Sequence, residues 1–186
     1  MLMNKNSGKA ITVLGPIEPS DLGLTLTHEH LLIDFEVVFQ PPRNSNEYHL
    51  ANETLSLKNL GWVRFNWASN HDNLQLDDEN LATDEVRYFF NAGGKTIVDA
   101  TSIGLSRNPR ALQRISQNTG LNIIMGTGFY VSDVHPEGFS KLPLDRITEK
   151  IISDIEEGAD ETNIRSGIIG EIGCSWPWTD DEQKSV

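Results

Sequence analysis

The chain has 186 residues, of which 38% are hydrophobic and 23% are charged, and this length and composition suit one domain with a buried core. Its 27 acidic and 15 basic residues give a formal net charge of −12, which disfavours nucleic acids and anionic membrane surfaces as partners. The single cysteine, Cys174, excludes an internal disulfide, and no stretch reaches the roughly 18 apolar residues of a membrane span. The first residues carry no apolar signal segment, so we expect a cytosolic (cytoplasmic) protein.

The apolar segments of the chain predict an alternation of strands and helices. Residues 11–17 are broken by Gly15-Pro16 and predict a small strand or hairpin ahead of the main fold. Four longer runs rich in β-branched residues predict strands, and they span residues 24–32, 96–101, 122–130 and 167–173. Segments with apolar residues at helical spacing precede the last three of them, at residues 83–92, 109–119 and 144–157. Apolar strands that alternate with helices are typical of a parallel sheet covered by helices.

Two segments depart from this alternation. Residues 36–82 form a long connection after the first predicted strand, which we interpret as a loop or lid insertion with a short helix within residues 55–67. Residues 179–186 begin a helix, since Thr179 and Glu182 have the spacing of a capping box. A closed eight-stranded barrel typically needs about 250 residues. We therefore expect residues 1–186 to form a single, partial barrel domain.

Two histidines lie one residue apart at the end of the first predicted strand, in GLTLTHEHLL (23–32). Side chains alternate along a strand, so His28 and His30 share a face with Leu24 and Leu26. Neutral imidazoles at that spacing can bind one cation, as in zinc sites with histidine ligands. Two histidines that bond only to backbone groups are the alternative.

One carboxylate interrupts the fourth predicted strand, Glu171 in GIIGEIG. A buried carboxylate is costly unless it is paired or bound to a metal ion. Because strand C-terminal ends meet at one mouth of a parallel barrel, Glu171 can meet His28 and His30 there. An ion pair with a buried Arg or Lys is the alternative, and Arg165 lies just before this strand.

Further side chains end or follow the other predicted strands. Asp99, in TIVDAT, is interpreted as a structural hydrogen-bonding group, and Thr101 lines the same mouth. Tyr130 and Trp176 are weak candidates for substrate contacts and equally good candidates for packing. Cys174 is expected to be a buried, unreactive thiol. The remaining histidines are expected at the surface: His49, His71 and His135.

Three of these segments together resemble a known family. LGPIEPSDLGLTLTHEHLLIDF (14–35), TIVDATSIGLSRNPRALQRISQNTGLNIIMGTGFYV (96–131) and GIIGEIGCSWP (167–177) are similar to the phosphotriesterase family of the amidohydrolase superfamily. The resemblance runs over essentially all 186 residues. T-H-E-H-L on the first strand combined with G-E-I-G on the fourth is far more specific than His-x-His alone.

The resemblance implies a (β/α)8 TIM-barrel fold with two divalent metal ions, zinc, at the strand C-terminal ends. It assigns His28 and His30 to the more buried ion, and it places Glu171 as the bridge where many members use a carboxylated lysine. It further implies a metal-bound hydroxide that attacks an amide, ester or phosphoester of a small molecule. For the animal branch it points to a small N-acyl amide of the N-acetyltaurine kind.

The resemblance also implies that much of such a site lies outside these residues. The family takes two more histidines and a catalytic aspartate from later strands, so we expect no catalytic residue up to Val186. The expected fold is a (β/α)8 barrel truncated after about four βα units, inactive alone, with exposed sheet edges through which it can oligomerise. A non-catalytic truncated isoform that acts as an interaction module is the alternative from another class. A flavodoxin-like binding domain also fits the alternation, and it leaves His28, His30 and Glu171 unexplained.

Overall fold

A computed structural model of the protein describes residues 6–186. The strands in chain order are β1 (Ala10–Thr12), β2 (Gly15–Ile17), β3 (Thr25–Glu29), β4 (Ile33–Asp34), β5 (Gln75–Leu76), β6 (Thr96–Asp99), β7 (Asn122–Thr127) and β8 (Ile168–Ile169). The α-helices are α1 (Leu60–Val63), α2 (Glu79–Asn91), α3 (Pro109–Thr119), α4 (Leu144–Glu156) and α5 (Asp180–Ser185). None of the helices within residues 6–186 is long and apolar enough to cross a membrane.

Four parallel strands form the main sheet, in the order β3-β6-β7-β8. Strands β6 and β7 pair over the whole length of β6, from Thr96 opposite Asn122 to Asp99 opposite Met125. Helices lie between successive strands along the chain, with α2 before β6, α3 before β7 and α4 before β8. The fold is therefore a truncated (β/α) barrel, which confirms the predicted fold class. The predicted first hairpin is also present, since β1 pairs with β2 in antiparallel fashion.

The core lies between the central strands and the helices that cover them. Ile97 of β6 and Ile123 of β7 are buried in the same cluster as Leu112 and Ile115 of α3 and Val86 of α2. The apolar faces that the helical spacing predicts are thus the faces that cover the sheet. Burial of such side chains contributes about 1.5–3 kcal/mol each.

Capping residues decide where the helices begin and end. Helix α2 begins at Glu79 and not at residue 83, because the Asp78 carboxylate accepts hydrogen bonds from the N–H groups of Asn80 (2.8 Å) and Leu81 (3.1 Å). Helix α3 has the predicted bounds, since Asn108 caps its first turn and Gly120 ends it with a φ of 77°. The predicted capping box at the start of α5 is confirmed.

All four strands of the main sheet are shorter than the sequence predicts, β3 and β8 most of all. Strand β3 ends at Glu29, and β8 comprises only Ile168–Ile169 of the predicted residues 167–173. Beyond β8 the N–H groups of Gly170 and Glu171 still donate, to the carbonyls of Thr127 (2.7 Å) and Ala100 (3.0 Å). The apolar composition therefore predicted a segment that runs beside the sheet beyond the two residues that pair regularly with β7.

The long connection after β4 is an ordered substructure. Strand β4 pairs with β5 in antiparallel fashion, with Ile33 opposite Leu76, so the two ends of the connection are joined. The buried Asn70 amide donates to the carbonyls of Leu50 and Glu53, at 2.7 Å each. The predicted short helix is present as α1, but residues 79–82 belong to α2 and not to the connection. Its role as a lid stays a prediction.

Candidate metal centre

Three side chains from the two edge strands converge at the C-terminal end of the sheet. The Nε2 atom of His28 lies 3.2 Å from Glu171 Oε2, and the Nε2 atom of His30 lies 3.5 Å from Glu171 Oε1. One ligand atom from each of the three residues lies within 4.8 Å of the others. The structure thus brings together the three residues that the sequence singles out as metal-ligating candidates.

A β-bulge precedes this cluster on β3. The pairing with β6 shifts between Leu26, opposite Ile97, and Glu29, opposite Asp99, so that β3 carries one extra residue. A bulge re-aims the side chains that follow it. The simple alternation that grouped the two leucines with the histidines therefore breaks down between Leu26 and Glu29, and nothing in the sequence pattern signals this bulge.

The Thr101 hydroxyl contacts the ring of His30. Its oxygen lies 3.0 Å from Nδ1 of His30 and 3.2 Å from the Leu32 carbonyl, to which the hydroxyl can donate. When the hydroxyl hydrogen is directed at Leu32, the oxygen accepts from an Nδ1–H group of His30. In that tautomer the lone pair of His30 lies on Nε2, the atom that faces Glu171.

A lone pair that faces a carboxylate oxygen at 3.5 Å is unfavourable unless a cation lies between them. A tetrahedral ion with bonds of about 2.0–2.2 Å separates its ligand atoms by about 3.4 Å. The Nε2 atoms of His28 and His30 lie 3.2 Å and 3.5 Å from different oxygens of Glu171, which is close to that separation. The donor set, two imidazole nitrogens and a carboxylate, is one that zinc accepts. The side chains therefore fit a divalent ion, and a proton shared within the cluster is the alternative.

No basic residue of the described part of the chain replaces the histidines as the partner of Glu171. The buried guanidinium belongs to Arg107, which pairs with Asp154 at 3.0 Å and Asp160 at 2.7 Å. Arg165, which precedes β8, lies within hydrogen-bonding distance of the Asn6 side chain. The alternative of a buried Arg or Lys partner for Glu171 is therefore wrong.

Comparison with known proteins identifies the family of the chain. Residues 8–186 match the model of the Phosphotriesterase family. The chain belongs to the phosphotriesterase family. Among its relatives, "N-acetyltaurine hydrolase" of Xenopus tropicalis is 46% identical and that of Homo sapiens 44% identical, each over 98% of this chain and 52% of the relative. The chain thus spans about half the length of the curated relatives that it matches.

Solved structures support the same assignment. The Resiniferatoxin-binding protein from Rhodobacter sphaeroides superposes with a TM-score of 0.94 at 42% identity, over 97% of this chain and 50% of that protein. The organophosphorus hydrolase from Deinococcus radiodurans superposes with a TM-score of 0.68 at 25% identity, over 97% of this chain and 48% of that protein. The likeness to each of these structures extends over about half of the solved chain.

Asp99 has the structural role in this phosphotriesterase-family chain that the sequence predicts. Its side chain is fully buried, and its carboxylate oxygens accept from the N–H groups of Leu31 (2.8 Å) and Thr101 (3.1 Å). Burial raises the pKa of Asp99 above its ordinary value, and the two N–H donors oppose that shift. Asp99 thus contacts residues on either side of the cluster without reaching it.

The two weak candidates for substrate contacts lie in different surroundings. Tyr130 is half-buried, and its ring centroid lies 5.8 Å from that of Phe35. Its ring covers Gly173 so closely that a Cβ there would lie 2.4 Å from Tyr130 Cδ2, which explains the last glycine of G-E-I-G. Burial and the charge of Glu171 raise the pKa of Tyr130. Trp176 is 91% exposed. Substrate binding by either residue stays a prediction.

Cys174 is exposed, so the prediction of a buried thiol is wrong. The chain has left the sheet at this point and follows the surface as a connection to α5. Partial desolvation and the nearby charge of Glu182 raise the pKa of the Cys174 thiol. A raised pKa keeps the thiol protonated, and the thiolate is the reactive form.

The loop histidines divide into two groups. His49 is exposed, as predicted. His71 is half-buried, since its ring stacks on Phe39 with centroids 3.9 Å apart. His135 is also half-buried, and its ring centroid lies 4.1 Å from that of Phe139. The surface prediction is therefore confirmed for His49 and for His71, whose side chain is 41% exposed, whereas His135 is partly covered by Phe139.

Sequence reasoning missed the buried ionic group of Asp154 and the burial of Glu182. Asp154 is fully buried, accepts from the Thr127 hydroxyl at 2.7 Å and pairs with Arg107. Glu182 is fully buried and accepts from the N–H groups of Ser132 (3.1 Å) and Thr179 (2.9 Å). A signal for Asp154 was available, since it lies seven residues after Ile147 and therefore on the core-facing side of α4.

Proposed function

We propose that this chain carries part of the active site of a zinc-dependent hydrolase, in which His28, His30 and Glu171 bind metal. The observation that carries the proposal is the contact of one carboxylate with both imidazoles. The open surroundings support access from solvent, because the His28 side chain is 58% exposed. Membership of a family with hydrolases supports the same conclusion.

The roles of the side chains follow from their positions. His28 and His30 would hold one ion, and Glu171 would contribute its carboxylate to that ion and to a second one. Thr101 keeps the Nε2 lone pair of His30 directed at the ion. A divalent ion bound there acts as a Lewis acid on an acyl or phosphoryl oxygen and lowers the pKa of water. Tyr130 lies beside Glu171 and lines the approach to it.

The proposed substrate is a small N-acyl amide. Relatives at 44–46% identity carry the name N-acetyltaurine hydrolase, and their length is about twice the span that matches this chain. We therefore propose that the whole protein splits the amide C–N bond of an N-acetyltaurine-like compound in the cytosol. The other metal ligands and the groups that move protons are proposed to come from the part of the barrel that these residues do not include.

Metal content of the whole chain tests the proposal directly. After loading with zinc and removal of excess metal, we expect at least one zinc per chain by mass spectrometry of the metal. Replacing His30 by Ala or Glu171 by Gln is expected to lower the zinc affinity more than about 100-fold, since loss of an outer partner alone costs 10–100-fold. The His49→Ala variant is the control, because His49 is exposed and outside the cluster.

The results separate the possible functions. Zinc in the chain together with release of taurine from N-acetyltaurine would show a working enzyme, and zinc without turnover fits a partial active site. A chain that binds no zinc, or whose His30→Ala variant binds it unchanged, would overturn the proposal. The apolar side chains exposed on the edge strands, Leu24 (60%) and Ile169 (59%), favour an interaction module as the second candidate. Association into dimers without zinc would support that candidate.

A further inference from the structure

The end of the central strand β6 connects the two halves of the candidate metal centre. The N–H group of Ala100 donates to the Glu29 carbonyl at 2.8 Å, and the Ala100 carbonyl accepts from the N–H group of Glu171 at 3.0 Å. One peptide segment therefore sets the distance between the strand that carries the histidines and the strand that carries the glutamate.

Asp99 holds this segment to the backbone on the far side of His30. One carboxylate oxygen accepts from the N–H group of Leu31, the residue directly after His30, and the other accepts from the N–H group of Thr101. No ion pair among the described residues involves Asp99, so its buried charge is stabilised by these N–H groups. The contact fixes the position of Thr101 relative to the backbone of His30.

Thr101 then contacts the ring nitrogen of His30 that does not face Glu171. Its hydroxyl oxygen lies 3.0 Å from Nδ1 of His30 and 3.2 Å from the Leu32 carbonyl, to which the hydroxyl can donate. Thr101 is fully buried, so water does not compete for these bonds. An imidazole held in this way offers Nε2, and only Nε2, as a ligand atom.

We propose that Asp99 is a positioning residue: through the Leu31 amide and Thr101 it fixes the tautomer and the place of His30 opposite Glu171. The expected effect of Asp99 on metal binding rests on the proposed function, whereas its expected effect on the position and tautomer of His30 does not. The tautomer of His30 is measured in the metal-free chain, separately from zinc affinity. The two statements can therefore fail separately.

The substitutions Asp99→Asn and Thr101→Val test the inference in the whole chain. Asn keeps the shape of Asp99 but turns an NH₂ group toward one of the two N–H donors, and Val removes the acceptor for Nδ1–H of His30. We expect either change to lower the zinc affinity about 10–100-fold, measured by competition with a chromophoric chelator. In the metal-free chain, long-range ¹H–¹⁵N correlation spectra should show a protonated Nδ1 of His30 in the wild type and mixed tautomers in Thr101→Val.

Thr119→Val is the matched control. Its hydroxyl is also buried and donates to the Ile115 carbonyl at 2.7 Å, on helix α3 outside the cluster. This variant should lose stability without a change in the His30 spectrum or in zinc affinity.

Different results would contradict the inference about Asp99 and the proposed function. Wild-type spectra with hydrogen on Nε2 of His30, or an unchanged tautomer in Thr101→Val, would overturn the inference whatever the metal content. Unchanged spectra and zinc affinity in Asp99→Asn would do so as well, and a failure of this variant to fold leaves Thr101→Val to decide. A fixed Nδ1–H tautomer in a chain that binds no zinc would instead contradict only the proposed function.

Discussion

The central and edge strands of the parallel sheet differ in what their residues do. All four residues of β6 and five of the six in β7 are buried, whereas β3 and β8 contain no buried residue. The cluster is built from β3 and from the segment after β8. Its supports, Asp99 and Thr101, come from β6 and the residues that follow it. In this chain the central strands therefore provide most of the core. The edge strands and the residues that follow them carry the candidate metal ligands.

The largest expected effect is on stability, from a cavity in a central strand. Ile123 of β7 is fully buried, and replacing it by Ala should lower the free energy of unfolding by about 2–5 kcal/mol. Urea denaturation monitored by tryptophan fluorescence measures the change. The edge-strand variant Leu24→Ala should change it by no more than about 0.5 kcal/mol, since Leu24 is 60% exposed. Equal losses in the two variants would remove the distinction between the strands.

A smaller effect is expected where a central strand meets the edge strand beside Glu171. A Cβ on Gly126 would lie 2.0 Å from the Gly170 carbonyl oxygen, so Gly126→Ala forces the backbone next to Glu171 to move. We expect a loss of about 1–3 kcal/mol in urea denaturation and a weaker affinity for zinc in the same sample.

The control for that change is Gly61→Ala on α1. No atom lies within 4 Å of a Cβ on Gly61, and alanine favours a helix, so stability should stay equal or rise by up to about 1 kcal/mol. If Gly126→Ala and Gly61→Ala have the same free energy of unfolding, the close approach of β7 to the segment after β8 does not contribute to stability.

The smallest effect concerns Glu182, whose carboxylate accepts hydrogen bonds from the N–H groups of Ser132 and Thr179. Hydrogen bonds from the N–H groups of Thr179 and Ser132 lower the pKa of Glu182 from 4.5 to about 2. A carboxylate with a lowered pKa stabilises the folded chain above pH 4.5, and this contribution is lost as the pH falls from about 4.5 to about 2. The stability difference between wild type and Glu182→Gln should therefore shrink over that range in urea denaturation. Asp180→Asn, at an exposed position of the same helix, should keep the wild-type pH dependence.

Local patterns were enough to predict most of the architecture. Residues 109–119 gave the bounds of α3 because proline, apolar spacing and a final glycine all agree there. The start of α2 was placed too late because Asp78 caps the helix, while Thr83 bonds within it to the Glu79 carbonyl at 2.7 Å. Propensity alone does not distinguish these two positions.

The candidate site was predicted as a set of residues but not as a geometry. His28, His30 and Glu171 stood out because polar side chains are rare in apolar runs. The bulge between Leu26 and Glu29 and the bond between His30 and Thr101 depend on how β3 aligns with β6, which no short stretch of sequence encodes. The partial burial of His135 was missed although the rings that contact it, Phe129 and Phe139, are close to it along the chain.

The pairing of β4 with β5 has a consequence for the connection between them. The chain leaves the barrel wall at Asp34 and returns at Gln75, which are opposite each other in that pair. The length of residues 35–74 can therefore change while the two residues that flank them, Asp34 and Gln75, stay paired. Changes within residues 35–74 would therefore leave the pairing of the four-stranded sheet in place.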